Sequence, residues 1–335
     1  MRRVVRCFGR PSTCPITVVE RINTAAARYG NRQRLIPSAA RSSSALETTT
    51  PFRPMWSLAR RQLLPRTALR RTISSTLLSR WTSLDGHVRV FQGESFWLVR
   101  DFKIEPDPNR LFFDPTTKLI YFGYGGQNAG FDAYERVGIL RPMPGAGYDQ
   151  LVADMIAPTP RPGHLAEIAM DDNGLLPACD SRADRIYQFD TQKRELIKSW
   201  PARGDGAGDM ALDRTQHRLF VGSRTPPEMT VYASVSGKEI QSLPGPETMD
   251  GVHYDAKLQR VYMTGGRWYG TPDASPGWVY VYQQEDPDHY ELISRIKTRL
   301  GSGTSLFVPQ FNRLYVASQA LGDHAAAILV FEPVK

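Results

Sequence analysis

The chain has 335 residues, with 42 Lys and Arg against 34 Asp and Glu, and three cysteines. No run of about 20 apolar residues exists, so no transmembrane helix is expected. With Cys7 and Cys14 near the start and Cys179 far from both, neither a disulfide framework nor a Cys-based zinc site is expected.

The first element in chain order is a basic leader. Residues 1–81 hold 16 arginines, no lysine and two acids, Glu20 and Glu47, a net charge of +14. The remaining 26 basic and 32 acidic residues give −6, so the overall +8 describes neither part. The basic balance is therefore no sign of a nucleic-acid surface. An Arg-, Ser- and Ala-rich, acid-poor leader has the composition of a mitochondrial transit peptide. Its best stretch starts at Met55, where Arg60, Arg61, Arg66, Arg70 and Arg71 alternate with Leu58, Leu63, Leu64, Leu69 and Ile73. "RRTISS" from Arg70 resembles presequence cleavage regions. The leader is expected to be disordered or helical and the protein mitochondrial. The alternatives are a solvated basic tail on a cytoplasmic protein, or untranslated sequence read as protein.

From residue 82 onward the chain repeats. VRVFQGESFWLVRDFKI from Val88 is a partial unit with a third and fourth strand only. LFFDPTTKLIYFGYG begins at Leu111, and a poorly repeating insertion runs from Gln127 to Pro162. IAMDDNGLLPACDS follows from Ile168, MALDRTQHRLFVGS from Met210, VHYDAKLQRVYMTG from Val252 and LFVPQFNRLYVAS from Leu306. Asp171, Asp213 and Asp255 close the first apolar run of three units, 42 residues apart each time. The unit from Gly204 holds four short, β-branched and aromatic runs with Gly, Pro and Asp between them, too closely punctuated for helices. The unit boundaries fall near 84–105 (partial), 107–162, 163–203, 204–246, 247–300 and 301–335.

Four strands repeated at about this period describe a blade of an all-β β-propeller. The recurring order of apolar run, Asp, turn and apolar run disfavours the alternative, a β-sandwich. "HRLFVGSR", "NRLYVAS", "VRVFQGESFWLVRDFKI" and "SLFVPQFNRLYVAS" closely resemble the YVTN/YncE-like β-propeller family, within the WD40/YVTN-repeat-like group. The resemblance spans residues 85–335. It implies a ring that usually has seven blades, whereas five to six are visible, so the ring either closes with fewer or is incomplete. Thr76–Ser79 is a poor candidate for a further strand. The last unit stops after its third strand, which Phe96–Ile104 is expected to complete.

Inner strands of a propeller line a channel, and the loops entering them gather at one mouth. His164, Glu167, Asp205, Asp209, Glu247 and Asp250 lie in such loops, and His253 just inside the next strand. Carboxylates with a histidine suit a divalent metal or general acid–base work. Turn-capping and solvation are the plainer roles. Asp171, Asp213 and Asp255 recur in the units and read as structural turn residues. Cys179, inside an apolar run, reads as a core residue. Trp268, Tyr269 and Trp278 suit a binding rim or blade packing.

No G-x-S-x-G elbow or Walker loop is present, and Gly123-Tyr124-Gly125-Gly126 opens no helix. The expected function is a scaffold that binds a small molecule or protein partner, with no demonstrable catalytic motif and no established cofactor. The alternative is a metal-dependent hydrolase, lactonase or lyase at the channel mouth. Propeller lactonases supply that analogy through fold alone.

Overall fold

The structure, a computed structural model, describes residues 16–20, 78–82, 87–91, 97–103, 108–125, 135–143, 147–148, 153–157, 163–266, 276–320 and 325–334. Strand β1 (Ile16–Glu20) comes first in the chain. β2 (Leu78–Thr82), β3 (His87–Phe91) and β4 (Leu98–Lys103) make a three-stranded antiparallel sheet. Blade one is β5 (Leu111–Phe113), β6 (Ile120–Gly125) and β7 (Glu135–Leu140), completed after the small hairpin β8 (Pro142–Met143) and β9 (Gly147–Tyr148) by β10 (Ala153–Ala157). Blade two is β11 (Leu165–Ile168), β12 (Leu175–Asp180), β13 (Arg185–Asp190) and β14 (Glu195–Pro201). Blade three is β15 (Met210–Asp213), β16 (Arg218–Arg224), β17 (Pro227–Ala233) and β18 (Glu239–Pro244). Blade four is β19 (Met249–Asp255), β20 (Arg260–Gly265), β21 (Pro276–Asp286) and β22 (His289–Leu300). Blade five is β23 (Ser305–Val308), β24 (Arg313–Ser318) and β25 (Ala327–Pro333), with β1 as its outer strand. The described residues therefore form a β-propeller of five four-stranded blades.

Successive side chains of a strand point to opposite faces, and here both faces are covered. In β16, Leu219 and Val221 pack with Cys179, Ile186 and Trp200 of blade two. Phe220, between them, packs with Met249, Val252 and Val261 of blade four. Blades one and two share Tyr121, Val137 and Ile139 with Leu176, Tyr187 and Phe189. Blades four and five share Tyr262, Val279 and Val281 with Leu314, Val316 and Phe331. Val88 of the three-stranded sheet packs on Ile120, Phe122 and Leu140 of blade one.

The repeated aspartates organise the turns after the inner strands of blades two, three and four. Asp171 Oδ1 accepts the N–H groups of Asn173 at 2.9 Å and Leu175 at 2.8 Å. Asp213 Oδ1 accepts those of Thr215 at 3.0 Å and Gln216 at 3.2 Å. Asp255 Oδ1 accepts those of Lys257 and Leu258, and its Oδ2 takes the Tyr262 hydroxyl at 3.0 Å. Each turn then uses one left-handed residue: Lys118 at φ 63°, Gly174 at 79°, His217 at 55°, Gln259 at 52° and Asn312 at 49° in blades one to five.

Three expectations change. Blade five is completed by β1, in register from Ile16 opposite Pro333 to Glu20 opposite Leu329. The 96–104 segment is not its partner, because β4 folds back on β3 as a local hairpin. Thr76–Ser79, a poor candidate from sequence, overlaps β2, in which Leu78–Thr82 pairs along β3. The region 1–81, expected to be disordered or helical, thus supplies β1 and most of β2. An Arg- and Ser-rich average masks the β-branched run Ile16-Thr17-Val18-Val19. The stretch from Met55 to Ile73, and Trp268 and Tyr269, lie outside the described residues. In the 127–162 insertion the chain supplies β7, β8, β9 and β10, of which β7 and β10 belong to blade one.

Phe220→Ala opens a cavity between blades three and four and is expected to cost about 3–5 kcal/mol. Asp213→Ala strips two turn amides of their acceptor and is expected to cost about 1–3 kcal/mol. Equilibrium urea unfolding measures both, and an unchanged Asp213→Ala midpoint would show that those amides find other partners.

Candidate functional site at the channel mouth

The repeat places equivalent residues around one axis. Counting four residues back from Asp114, Asp171, Asp213 and Asp255 gives Arg110, Glu167, Asp209 and Gly251, and Ser305 stands at the same place in blade five. One residue earlier lie Asp250 and Thr304. The structure brings these positions together.

Arg110 is the centre. Asn109, beside it, anchors the entry to β5 by donating its N–H to Gly123 O at 2.8 Å. Arg110 Nε lies 3.1 Å from Glu167 Oε2 of blade two, and its Nη2 lies 3.6 Å from Asp209 Oδ1 of blade three. Asp250 of blade four adds its field, and Thr304 of blade five donates its hydroxyl to Asp250 Oδ2. All five blades thus contribute at one mouth.

Three carboxylates share one guanidinium. Glu167, and to a lesser degree Asp209 and Asp250, hold the Arg110 pKa above its ordinary value against the opposing effect of burial. Burial pushes Glu167 up to about 8, with Asp209 adding to it and Arg110 opposing it. Burial, helped by the Asp209 charge, pushes Asp250 to about 6 against the Thr304 hydrogen bond and the charges of Arg224 and Arg110. The close Arg110–Glu167 contact favours an ionised Glu167, but one cation cannot offset burial together with a neighbouring anion. Asp209 is only 8 % exposed, and its Oδ2 has no hydrogen-bond partner among the described residues.

His253 extends the site toward blade five. Thr264 Oγ1 donates to Gly303 O at 2.5 Å, so it accepts from Ser305 Oγ at 2.7 Å. Ser305 in turn accepts from His253 Nε2 at 2.8 Å. This order fixes the proton on Nε2, and Ser305 gives its proton to Thr264 rather than to the imidazole. Burial, then the Arg110 charge, lower the His253 pKa to about 3, keeping the ring neutral. Gly251 is required below this chain, because a Cβ there would collide with Ser305 Oγ and Thr264 Oγ1.

Of the residues marked in the sequence, Glu167, Asp209, Asp250 and His253 come together. His164 does not join the Arg110 ion pairs. Its Nε2 accepts from Asn109 Nδ2 at 2.8 Å, and its backbone N–H donates to Asp180 Oδ1 at 3.2 Å. Asp205 is exposed, and its backbone bridges to Thr225. Glu247 is exposed. Cys179 is buried and donates to Ala207 O at 3.0 Å, and burial pushes its thiol well above the ordinary range. Trp278 packs edge-on to Tyr280 at 6.4 Å. Sequence reasoning missed Arg110, although its place four residues before Asp114 was a usable signal. Among the described residues, no three His, Cys, Asp or Glu side chains are arranged to hold a metal ion.

The likeness to known proteins is one of fold. No family model matches the chain, and no curated protein does. Many solved chains do match. A chain from the mitotic checkpoint complex is 13 % identical, with a TM-score of 0.59 over 77 % of this chain and 73 % of that one. A functionally unknown protein from Desulfotomaculum acetoxidans is 9 % identical, with a TM-score of 0.59 over 73 % and 74 %. Kuenenia stuttgartiensis hydrazine synthase is 11 % identical, with a TM-score of 0.57 over 72 % and 70 %. Among the described residues, no helix is long and apolar enough to cross a membrane.

A carboxyl whose pKa is raised on folding binds its proton more tightly in the native chain. Its stabilisation is complete below the unfolded pKa and is lost as pH rises through the folded value, about 8 for Glu167 and about 6 for Asp250. His253 acts oppositely, its contribution being lost as pH falls through about 3. Glu167→Gln is therefore expected to flatten the fall in melting temperature on the alkaline side, up to about pH 8. Parallel profiles for the variant and the parent would contradict the raised Glu167 pKa.

Proposed function

We propose that this propeller is a binding scaffold that seats a positively charged group, an amine or guanidinium of a small molecule or of a protein side chain, at the channel mouth. One observation carries this reading: three carboxylates from three blades face a single guanidinium, and buried Asp209 Oδ2 is left with no hydrogen-bond partner among the described residues. A second cation there relieves surplus negative charge in a poorly solvated place, where such interactions are strong. It also favours the ionised forms of Glu167 and Asp250, so binding releases protons near neutral pH.

The mitotic checkpoint relative belongs to a multi-protein assembly, which agrees with a binding role for this fold. Membership of the YVTN/YncE-like family rests on the repeat motifs and is part of the same proposal. Among the described residues the carboxylates face Arg110 and Ser305 directs its proton away from His253, an arrangement that favours binding over hydrolase, lactonase or lyase chemistry.

Calorimetric titration with agmatine and with butylamine, in two buffers of different ionisation enthalpy at pH 7, tests the proposal. Binding heats that differ between buffers are expected. Asp209→Asn is expected to weaken binding by about tenfold or more, as loss of a buried charge partner does. Absence of binding by both probes, or binding that Asp209→Asn leaves unchanged, would overturn it.

Mitochondrial delivery is a separate proposal, supported by the Arg-rich, acid-poor composition of residues 1–81. A fluorescent fusion carrying residues 55–85 is expected to reach mitochondria, and diffuse cytosolic signal would sink it.

A further inference from the structure

Blade five is built from the two ends of the described chain. β23, β24 and β25 come from its C-terminal part, while the outer strand β1 comes from residues 16–20. The β1–β25 ladder covers five residue pairs, from Ile16↔Pro333 to Glu20↔Leu329. Without β1, the outer backbone of Ala327–Pro333 becomes a sheet edge. That strand reads AILVFEP, with Leu329, Val330 and Phe331 buried and only Glu332 and Pro333 as residues that discourage strand addition. An apolar edge with free N–H and C=O groups is a template for another extended segment.

Two features make β1 detachable. It is five residues long, and residues 21–77 separate it from β2. The longer the chain between two paired segments, the lower their effective concentration. The Arg-rich stretch read as a processing region, around Arg70, lies between β1 and β2 in sequence, so a cut there separates β1 from the rest of the chain.

We infer that the outer edge of β25 is a strand-acceptor site, occupied in cis by Ile16–Glu20, and that removal of the N-terminal segment opens it to an extended β-branched strand supplied in trans. Completing blade five and processing the leader are then competing fates of the same residues. Recognition is by main-chain hydrogen bonds in antiparallel register, with Ile16, Thr17, Val18 and Val19 supplying strand propensity.

Hydrogen exchange on the full chain and on a chain starting at Met55 tests this. The shortened chain is expected to lose protection at alternate amides of Ala327–Pro333 by about tenfold or more, with β16 and β17 of blade three unchanged. A synthetic peptide of residues 11–25 is expected to restore it. Full-length Val18→Pro, which fits a strand poorly, provides a second variant if the shortened chain does not fold. It is expected to show the same local loss and the same rescue. Unchanged β25 protection in the variant measured, loss spread equally over all blades, or failure of the peptide to restore β25 would each overturn the inference.

Discussion

Sheets with large apolar residues on both faces cannot stand alone in water. Leu219 and Val221 face one way from β16 and Phe220 the other, and each set is buried only because a neighbouring blade supplies its other wall. Lateral stacking is therefore the condition for every blade, and it creates the channel as a by-product. Once equivalent strands stand side by side around an axis, a residue four places before the turn aspartate in one blade meets its counterparts from the next. The turn aspartates hold the unit's shape, and the positions before them are where the units differ.

Those differences give the mouth its electrostatics. Arg110, Glu167 and Asp209 occupy equivalent places in blades one to three, and Asp250 and Thr304 come from one place earlier in blades four and five. The guanidinium bridges blades that share no strand pairing. The surplus of carboxylates keeps that bridge from being electrically complete, so part of the negative charge is suppressed by retained protons. The neutral His253, hydrogen-bonded to Ser305, ties blade four to blade five without adding another charge.

The fold was legible wherever it depended on local order. The 42-residue spacing of Asp171, Asp213 and Asp255, the β-branched runs and the turn residues lie within one unit, and the strands follow them closely. Much of the mouth was legible too, because loops entering inner strands converge in any propeller. Arg110 carried no chemical signal, because a lone cation is neither a metal ligand nor a general acid–base group, although its register position matches those of Glu167 and Asp209. His164 and Asp205 were in the right loops but make other bonds, which only side-chain geometry decides. β1 was the hardest element to see. Its partner lies more than 300 residues away in sequence, and five strand-forming residues are diluted by an arginine-rich surrounding.

The left-handed residues of the turns have a practical side. Lys118, His217, Gln259 and Asn312 all sit at positive φ, where a side chain crowds the backbone and glycine does not. Glycine gives back part of that relief through a more flexible unfolded chain, leaving a net gain of roughly 0.5–1 kcal/mol at Lys118, His217 and Gln259, whereas Asn312 would lose its side-chain bond to Pro333 O at 3.0 Å. Three of the five blades therefore keep an unused margin of thermal tolerance at the turns after their inner strands. Blade two, with Gly174 already in its turn, has drawn on it.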